Sequence, residues 1–287
     1  MSSPIAAVVV DHDAGPLLEG CVRSLLDDGV TRVVVVENGR PGRVSGALAD
    51  PAVTVLRPGR NLGYGAGINR GLAVLAGADG ADGAEWVLVS NPDLLVHPGA
   101  LSALRVVLED RPAWAMVGPR IYADDGEVYP SVRRFPSFLD AAGHALLALF
   151  NPENRFTKRY NPGPPEGDVV VEAAWISGSC FLARRAALEE LGGFDEAYFM
   201  YAEEMDLCWR AHQAGWGIGF AGTASVTHIQ GVSTARHPYR MMVAHHRSAL
   251  RFTVRTTTGW RRLALPLAAV VLGLRLAMAS VRLAMKR

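Results

Sequence analysis

Four clusters of acidic, amide or glycine residues stand at the ends of apolar runs, and each has a chemistry that its residue types allow. Ser90-Asn91-Pro92-Asp93 follows the apolar run 86–89, WVLV. A carboxylate there suits a hard divalent cation, which takes one or two protein carboxylates and completes its shell with phosphate and water. The same residues also suit a turn and a helix cap. Tyr201-Ala202-Glu203-Glu204-Met205-Asp206 puts three acids in four residues at the start of a helical pattern. Part of that charge serves the helix dipole, and Asp206 and Arg210 have the spacing of an intrahelical ion pair. Glu204 has Cys208 and Ala211 on its own helix face. A carboxyl on such a small apolar face loses water, gains pKa and becomes a candidate general base.

Two further clusters point toward a nucleotide. Glu37-Asn38-Gly39 ends the run 31–36, TRVVVV. It reads as a turn or as a carboxylate that accepts hydrogen bonds from a base or ribose. The stretch Asn61-Leu62-Gly63-Tyr64-Gly65-Ala66-Gly67-Ile68-Asn69-Arg70-Gly71 leads into a helix. It is neither a dinucleotide fingerprint nor a P-loop. Its glycines offer a backbone that a ligand approaches closely, and its helix start offers amides to an anion. His228, after Ala224-Ser225-Val226-Thr227, suits either a structural role or a ligand role.

The elements that must position these residues alternate. Apolar, β-branched runs at 5–10, 31–36, 53–56, 86–89 and 115–117 read as strands, and helical patterns lie at 16–26, 66–76 and 98–108. Continuous apolar strands separated by helices predict a parallel sheet covered on both faces, with ligands outside the carboxyl ends of its strands. Residues 120–170 carry many prolines and weak periodicity, and read as an excursion over an acceptor site. A strand and short helix follow at 175–193, then a helix at 203–213. The apolar segment 263–274 is twelve residues long, short of the ~20 that span a bilayer. Flanked by Arg261, Arg262, Lys286 and Arg287, it predicts a helix lying in a membrane interface; a terminal core or dimer helix is the plainer reading.

Composition narrows the classes. In 287 residues, 49% are hydrophobic, which excludes general disorder. The 29 basic and 28 acidic residues nearly cancel, which argues against nucleic acid as a partner. Three scattered cysteines form no metal pair and no disulfide framework, so a reducing compartment is expected. The N-terminus has no pattern of a secretory signal.

Taken together and in this order, the NLGYGAGINRG stretch, the NPD after a strand, GGFDEAYFMYAEEMDLCWR and the following His-containing strand resemble glycosyltransferase family 2. The segments VYPSVRRFPS, WISGSCFLARR and HHRSALRF are similar to its rhamnosyltransferase branch. The resemblance implies a GT-A fold in residues 1–234, α/β with a mostly parallel sheet, and a helical, membrane-associating region in 235–287. It implies an inverting transferase that uses Mg2+ or Mn2+ and moves a sugar from a nucleotide sugar, dTDP-rhamnose above all. The acceptor would be a polyprenyl-diphosphate-linked sugar at the cytoplasmic face of the cell membrane, and the oligomeric state is left open. Asn91 and Asp93 match the family's metal motif, with Asp93 on the ion and Asn91 in place of its first Asp. His228 would complete the metal or diphosphate site. Glu37 matches the base-contacting Asp, and Asp11, Asn38, Asn61, Gly63 and Asn69 join the donor pocket. Glu203-Glu204 matches the catalytic pair, with Glu204 as the base and Glu203 as its rival. The middle cations Arg133, Arg134, Lys158 and Arg159 are candidates for the lipid-linked diphosphate. Another donor, such as a galactofuranosyl nucleotide, a sugar nucleotidyltransferase and an inactive sugar-binding protein are the alternative readings.

Overall fold

The computed structural model describes residues 3–40, 42, 48–77, 83–147, 151, 153–229 and 238–285. The strands are β1 (Ile5–Asp11), β2 (Val30–Glu37), β3 (Val53–Leu56), β4 (Trp86–Ser90), β5 (Leu94–Val96), β6 (Trp114–Ala123), β7 (Val132–Arg133), β8 (Val170–Glu172), β9 (Trp175–Ile176), β10 (Cys180–Arg184) and β11 (Gly217–His228). The helices are α1 (Pro16–Asp27), α2 (Tyr64–Gly77), α3 (Ala100–Asp110), α4 (Phe138–Leu147), α5 (Arg155–Tyr160), α6 (Arg185–Glu190), α7 (Glu203–Gln213), α8 (Pro238–Thr256) and α9 (Leu265–Met285). A 3-10 turn, Gly259–Ala264, joins α8 to α9.

The valine runs form one half of a sheet ordered β3-β2-β1-β4-β10-β6-β11-β5, with β8 on β11. Alternate residues face opposite sides of a strand. Ala7, Val9, Val33, Val35 and Leu88 join the core under α1 and α3. Ala6, Val8, Val10, Val34, Val36, Val87 and Val89 join the core under α2, α6 and α7. Both faces are therefore covered, as the continuous apolar runs require.

The sheet is more mixed than those runs suggest. β3, β2, β1 and β4 pair in parallel, but β10 runs antiparallel between β4 and β6, and β11 pairs antiparallel with β5 and β8. The apolar pattern reports burial on both faces and says nothing of direction. β6 runs on to Ala123 inside the segment read as an excursion, and the rest of that segment holds β7, α4 and α5. β5 falls where only a turn was expected.

Helix α2 explains most of the glycine-rich stretch. A Cβ at Gly71 would come within 2.3 Å of Val8 Cγ1, and one at Gly65 within 2.9 Å of Phe194 Cβ. These glycines let α2 lie close on β1 and on the Phe194 loop, a packing role in place of an expected phosphate cradle. The Tyr64 N–H, at the helix start, donates to Phe199 O at 3.0 Å.

The C-terminal helices pack on this body. Phe252 of α8 is buried in the core and stacks on Phe135, with ring centroids 6.2 Å apart. Arg251 and Arg255 reach Asp195 at 3.0 and 2.7 Å. Asp206 is fully buried between Arg210 at 2.8 Å and Arg255 at 3.0 Å. The expected intrahelical pair is thus one half of a clamp that ties α8 to α7. Helix α9 packs against α8 and α4. It continues through Arg275 and Arg282, so the stretch Gly259–Met285 is 27 residues long and by length and composition could cross a membrane. The sequence count stopped at the first arginine, but a helix carries isolated cations on one face without breaking. The boundary expected between residues 234 and 235 lies outside the described residues.

Asp206 sits fully buried between two guanidinium groups. Asp206→Ala should lower unfolding stability by about 3–5 kcal/mol, the range for breaking a buried pair, measured by chemical denaturation. A loss below ~1 kcal/mol, the scale of a surface pair, would refute the clamp.

Candidate active site

The carboxyl ends of β1, β2 and β4 open onto a cleft of about 840 Å³. Asn91 and Asp93 line it from the β4 side, Glu203 and Glu204 from the start of α7, and His228 from the end of β11. Residues more than a hundred positions apart thus share one wall.

Two backbone registers produce this. β10 pairs with β4, and the Asn91 N–H donates to Ser179 O at 2.8 Å. β11 pairs antiparallel with β5 so that His228 lies opposite Leu94, and the Ile229 N–H donates to Asp93 O at 2.9 Å. The Asp93 and His228 side chains are then forced together, with Oδ1 to Nε2 at 3.1 Å. Asn91 Nδ2 is 3.2 Å from the same ring nitrogen. Tyr129 meets the imidazole edge-on at 6.4 Å. His228 Nδ1 is buried without a hydrogen-bond partner.

Among the described residues no three His, Cys, Asp or Glu side chains converge on an ion. Asp93 and His228 instead make an open pair. That fits a Mg2+ or Mn2+ ion which draws its remaining oxygens from a diphosphate and water.

The acidic pair differs in environment. Glu203 is buried, its Oε2 has no hydrogen-bond partner, and burial followed by repulsion from Glu204 drives its carboxyl well above the usual range. Glu204 is less enclosed. Burial raises it too, while the Arg133 cation pulls it back. Gly178 lies against it; a Cβ there would stand 3.0 Å from Glu204 Cβ. Tyr201 and Ala202, just before the pair, both adopt left-handed φ of 68° and 64°. Two non-glycine residues in that region are strained, and such strain collects where a fold holds a site in place.

The other expected donor residues divide. Asn38 Nδ2 donates to Asn61 Oδ1 at 3.1 Å and Gly63 O at 2.9 Å, while its Oδ1 accepts the Leu62 N–H at 2.7 Å. This ladder locks Asn38, Asn61 and Gly63 into the cleft wall. At Gly63, φ is +89° and a Cβ would clash with Phe199 O at 2.2 Å, so only glycine closes this loop. Asp11 is buried outside the cleft lining, where it accepts the Ala14 N–H at 3.0 Å and burial raises its carboxyl. Glu37 is also buried outside the lining and pairs with Arg57 at 3.3 Å. Asn69 bridges the N–H and C=O of Phe194 at 2.9 Å each, away from the cleft. These three therefore brace strand ends and loops where donor contacts were expected. A period-two or helical pattern gives a residue's face but not whether a neighbouring loop covers it.

The wall also holds residues that the sequence reading did not single out, among them Asp13, Tyr129, Ser177, Ser179, Tyr201 and Arg240. Asp13 Oδ2 grips Arg40 Nε at 2.9 Å across the mouths of β1 and β2. Ser177 and Ser179 belong to WISGSC, a segment noted only for its resemblance. Arg240 lies on α8, and no local signal marks it.

An open parallel-centred sheet, a carboxylate–imidazole pair facing a second acidic pair, and a cleft of this size define a GT-A-type nucleotide-sugar transferase. The chain matches the family described as glycosyltransferase like family 2 over residues 3–261, and it belongs to that family. It is 37% identical over 273 residues to the N-acetylglucosaminyl-diphospho-decaprenol L-rhamnosyltransferase of Mycobacterium tuberculosis, covering 91% of this chain and 88% of that protein. It is 27% identical over 202 residues to rhamnosyltransferase WbbL of Escherichia coli K12, covering 67% of this chain and 71% of that protein. The structure of GalNAc-T7 with UDP, GalNAc and Mn2+ aligns at TM-score 0.59 and 15% identity, over 80% of this chain and 43% of that one. That likeness concerns the fold.

The raised carboxyls set a pH expectation. A base with an elevated pKa is protonated, and idle, at pH values where an ordinary glutamate still works. With either acid as the base, the acid-side loss of turnover should therefore begin above pH ~4.3, where an unperturbed glutamate titrates. A kcat/KM profile whose acid limb sits at the ordinary value would contradict this environment.

Proposed function

We propose that the protein transfers L-rhamnose from dTDP-rhamnose to a polyprenyl-diphosphate-linked N-acetylglucosamine, with inversion at the anomeric carbon. The observation that carries the reading is the single cleft shared by Asp93–His228 and Glu203–Glu204. The 37% identical relative, named for rhamnosyl transfer to such an acceptor, supports the choice of sugar and acceptor.

Asp93 and His228 would hold the divalent cation, which when bound stabilises charge on a departing diphosphate. The Asn38–Asn61–Gly63 ladder shapes the wall against which the nucleotide lies. Glu204, the more accessible acid, takes the proton of the acceptor hydroxyl as that oxygen bonds to the anomeric carbon. The bond from that carbon to the diphosphate oxygen breaks, and the electron pair leaves with the nucleotide. General-base help of this kind is worth about 10²–10⁴-fold. Glu203, more deeply desolvated, remains protonated, so the pair does not place two charges side by side. No covalent sugar–enzyme intermediate is needed, and no second nucleophilic carboxylate is assigned.

The C-terminal helices supply the membrane contact. On α9 and the preceding turn, Leu263, Leu267, Val270, Leu274 and Val281 are exposed and recur at helical spacing. The opposite side packs on α8 and α4. A helix held to its domain along one face, with an apolar stripe on the other and Arg261 and Arg262 in the turn before it, suits an in-plane position at an anionic leaflet. The cytoplasmic leaflet, where nucleotide sugars are available, is the assigned side.

Asp93→Ala should reduce transfer by 10²-fold or more, roughly the scale of losing a cation's charge stabilisation, read as rhamnose incorporated into a GlcNAc-diphospho-lipid with and without EDTA. Glu204→Gln should retain nucleotide binding and lose transfer. If Glu203→Gln is the inactive variant and Glu204→Gln turns over, the base is Glu203.

Removing residues 260–287 should shift the protein from the vesicle-bound to the soluble fraction in sedimentation with phosphatidylglycerol vesicles. Unchanged sedimentation would remove α9 as the membrane contact.

A further inference from the structure

Resting on the transferase reading above, we propose that the guanidinium groups of Arg133 and Arg275, with the His144 and His245 imidazoles beside them, wall a recess that seats the diphosphate of an isoprenoid-linked acceptor.

Four elements converge there. Helices α8 and α9 are joined by a short turn and pack together, with Tyr239 OH donating to Ser280 O at 3.3 Å. From that contact, His245 lies six residues along α8 and Arg275 five residues back along α9. At 1.5 Å per residue these steps are about 9 and 7.5 Å, so antiparallel packing puts the two at the same level along the helix pair. α4 also packs on α9 and carries His144, whose Nδ1 lies 2.9 Å from Thr157 Oγ1. The His144 ring is 5.7 Å from Tyr160, which is 6.2 Å from Trp175. The Arg133 guanidinium covers that indole at 5.0 Å.

The recess adjoins the cleft at two points. Arg133 donates to Tyr129 OH at 3.1 Å, and Tyr129 packs on His228. His245 meets Tyr201 edge-on at 5.4 Å. Tyr129 and Tyr201 both line the cleft.

The charge in this recess is uncompensated. Arg275 is half-buried, loses solvation there, and has no carboxylate to offset the loss among the described residues. His245 is exposed and stays open to a ligand. Burial, then the neighbouring cations Arg275 and Arg133, press His144 to about 4, and burial with His246, Arg275, His144 and Arg133 does the same to His245. The Arg133 cation also acts on the Glu204 carboxylate, at the edge of the cleft. Half-buried cations without partners are costly, and a multivalent anion satisfies them through charge-assisted hydrogen bonds.

Position selects the anion. On one side is the proposed base, which must meet a hydroxyl of the acceptor sugar. On the other is the apolar stripe of α9, which suits an isoprenoid chain. A diphosphate between sugar and lipid belongs in the middle.

The full-length chain in detergent, with EDTA to remove cation-dependent binding at Asp93, is titrated with farnesyl diphosphate, farnesol and inorganic pyrophosphate by calorimetry. Farnesyl diphosphate should bind and farnesol should not. Arg275→Gln should weaken it by about tenfold or more, one lost charge-assisted contact, while Arg275→Lys retains most of the affinity. With GlcNAc-diphospho-lipid, Arg275→Gln should raise the acceptor KM by a similar factor, with kcat within about twofold. Equal binding of farnesyl diphosphate by both variants overturns the proposal. So does pyrophosphate binding as tightly as the isoprenoid, which would make this a free-diphosphate site. So does an Arg275 effect confined to phosphatidylglycerol vesicles, which would make it a headgroup contact. If no acceptor is glycosylated but Arg275-dependent binding holds, the transferase reading fails and the recess stands; if wild-type transfer proceeds independently of Arg275, the recess fails and the reading stands.

Discussion

A short antiparallel ladder between β5 and β11 governs this molecule. It places His228 opposite Leu94 and carries Asp93, one residue ahead of β5, to within 3.1 Å of the imidazole. The pairing needs β11 to be long, since β6 pairs with it as far as His228 and β8 with its first part, while its last residues also reach β5. The insertion of β10 between β4 and β6 is the complementary constraint, because it fixes Asn91 through Ser179 and brings Gly178 against Glu204. Two registers, each made of main-chain hydrogen bonds, therefore hold the Asp93–His228 pair and the acidic pair on one wall. Such bonds tolerate little displacement, so the geometry is a property of the sheet as much as of the side chains.

The second theme is how charge is distributed around that wall. Asp206, fully buried, is matched by Arg210 and Arg255, and Asp195 by Arg251 and Arg255. These pairs tie α8 onto the transferase body and bring Arg240 into the cleft. Elsewhere the matching is left incomplete. Glu203 Oε2 and His228 Nδ1 are buried without hydrogen-bond partners, and Arg275 has no carboxylate. Buried polar groups are ordinarily satisfied. Glu203 and His228 lie in the cleft wall, and Glu203 follows directly on the strained Tyr201–Ala202 step.

Much of this was legible beforehand. The valine runs predicted buried strands because a strand covered on both faces has no polar side to show, and the strands appear at those places. Asp93, Glu204 and His228 stood out because each is a chemically able residue at the end of an apolar run. Asp11, Glu37 and Asn69 stood out for the same reason, and the structure turns them to bracing roles outside the cleft. The glycines of α2 looked like a ligand cradle, yet Gly65 and Gly71 are needed where helix meets Phe194 and Val8.

What the sequence by itself determined was therefore local: which segments are buried, where helices start, which residue types are available at strand ends, and, through the order of its motifs, the family. Only the tertiary structure decided strand direction, the antiparallel place of β10, the meeting of Asp93 with His228, and the crowding of Arg133, His245 and Arg275 from separate elements. The physical reason is that periodicity records how much water a side chain loses. Direction, register and which distant side chain fills the adjoining space depend on main-chain bonds and packing between segments far apart in the chain.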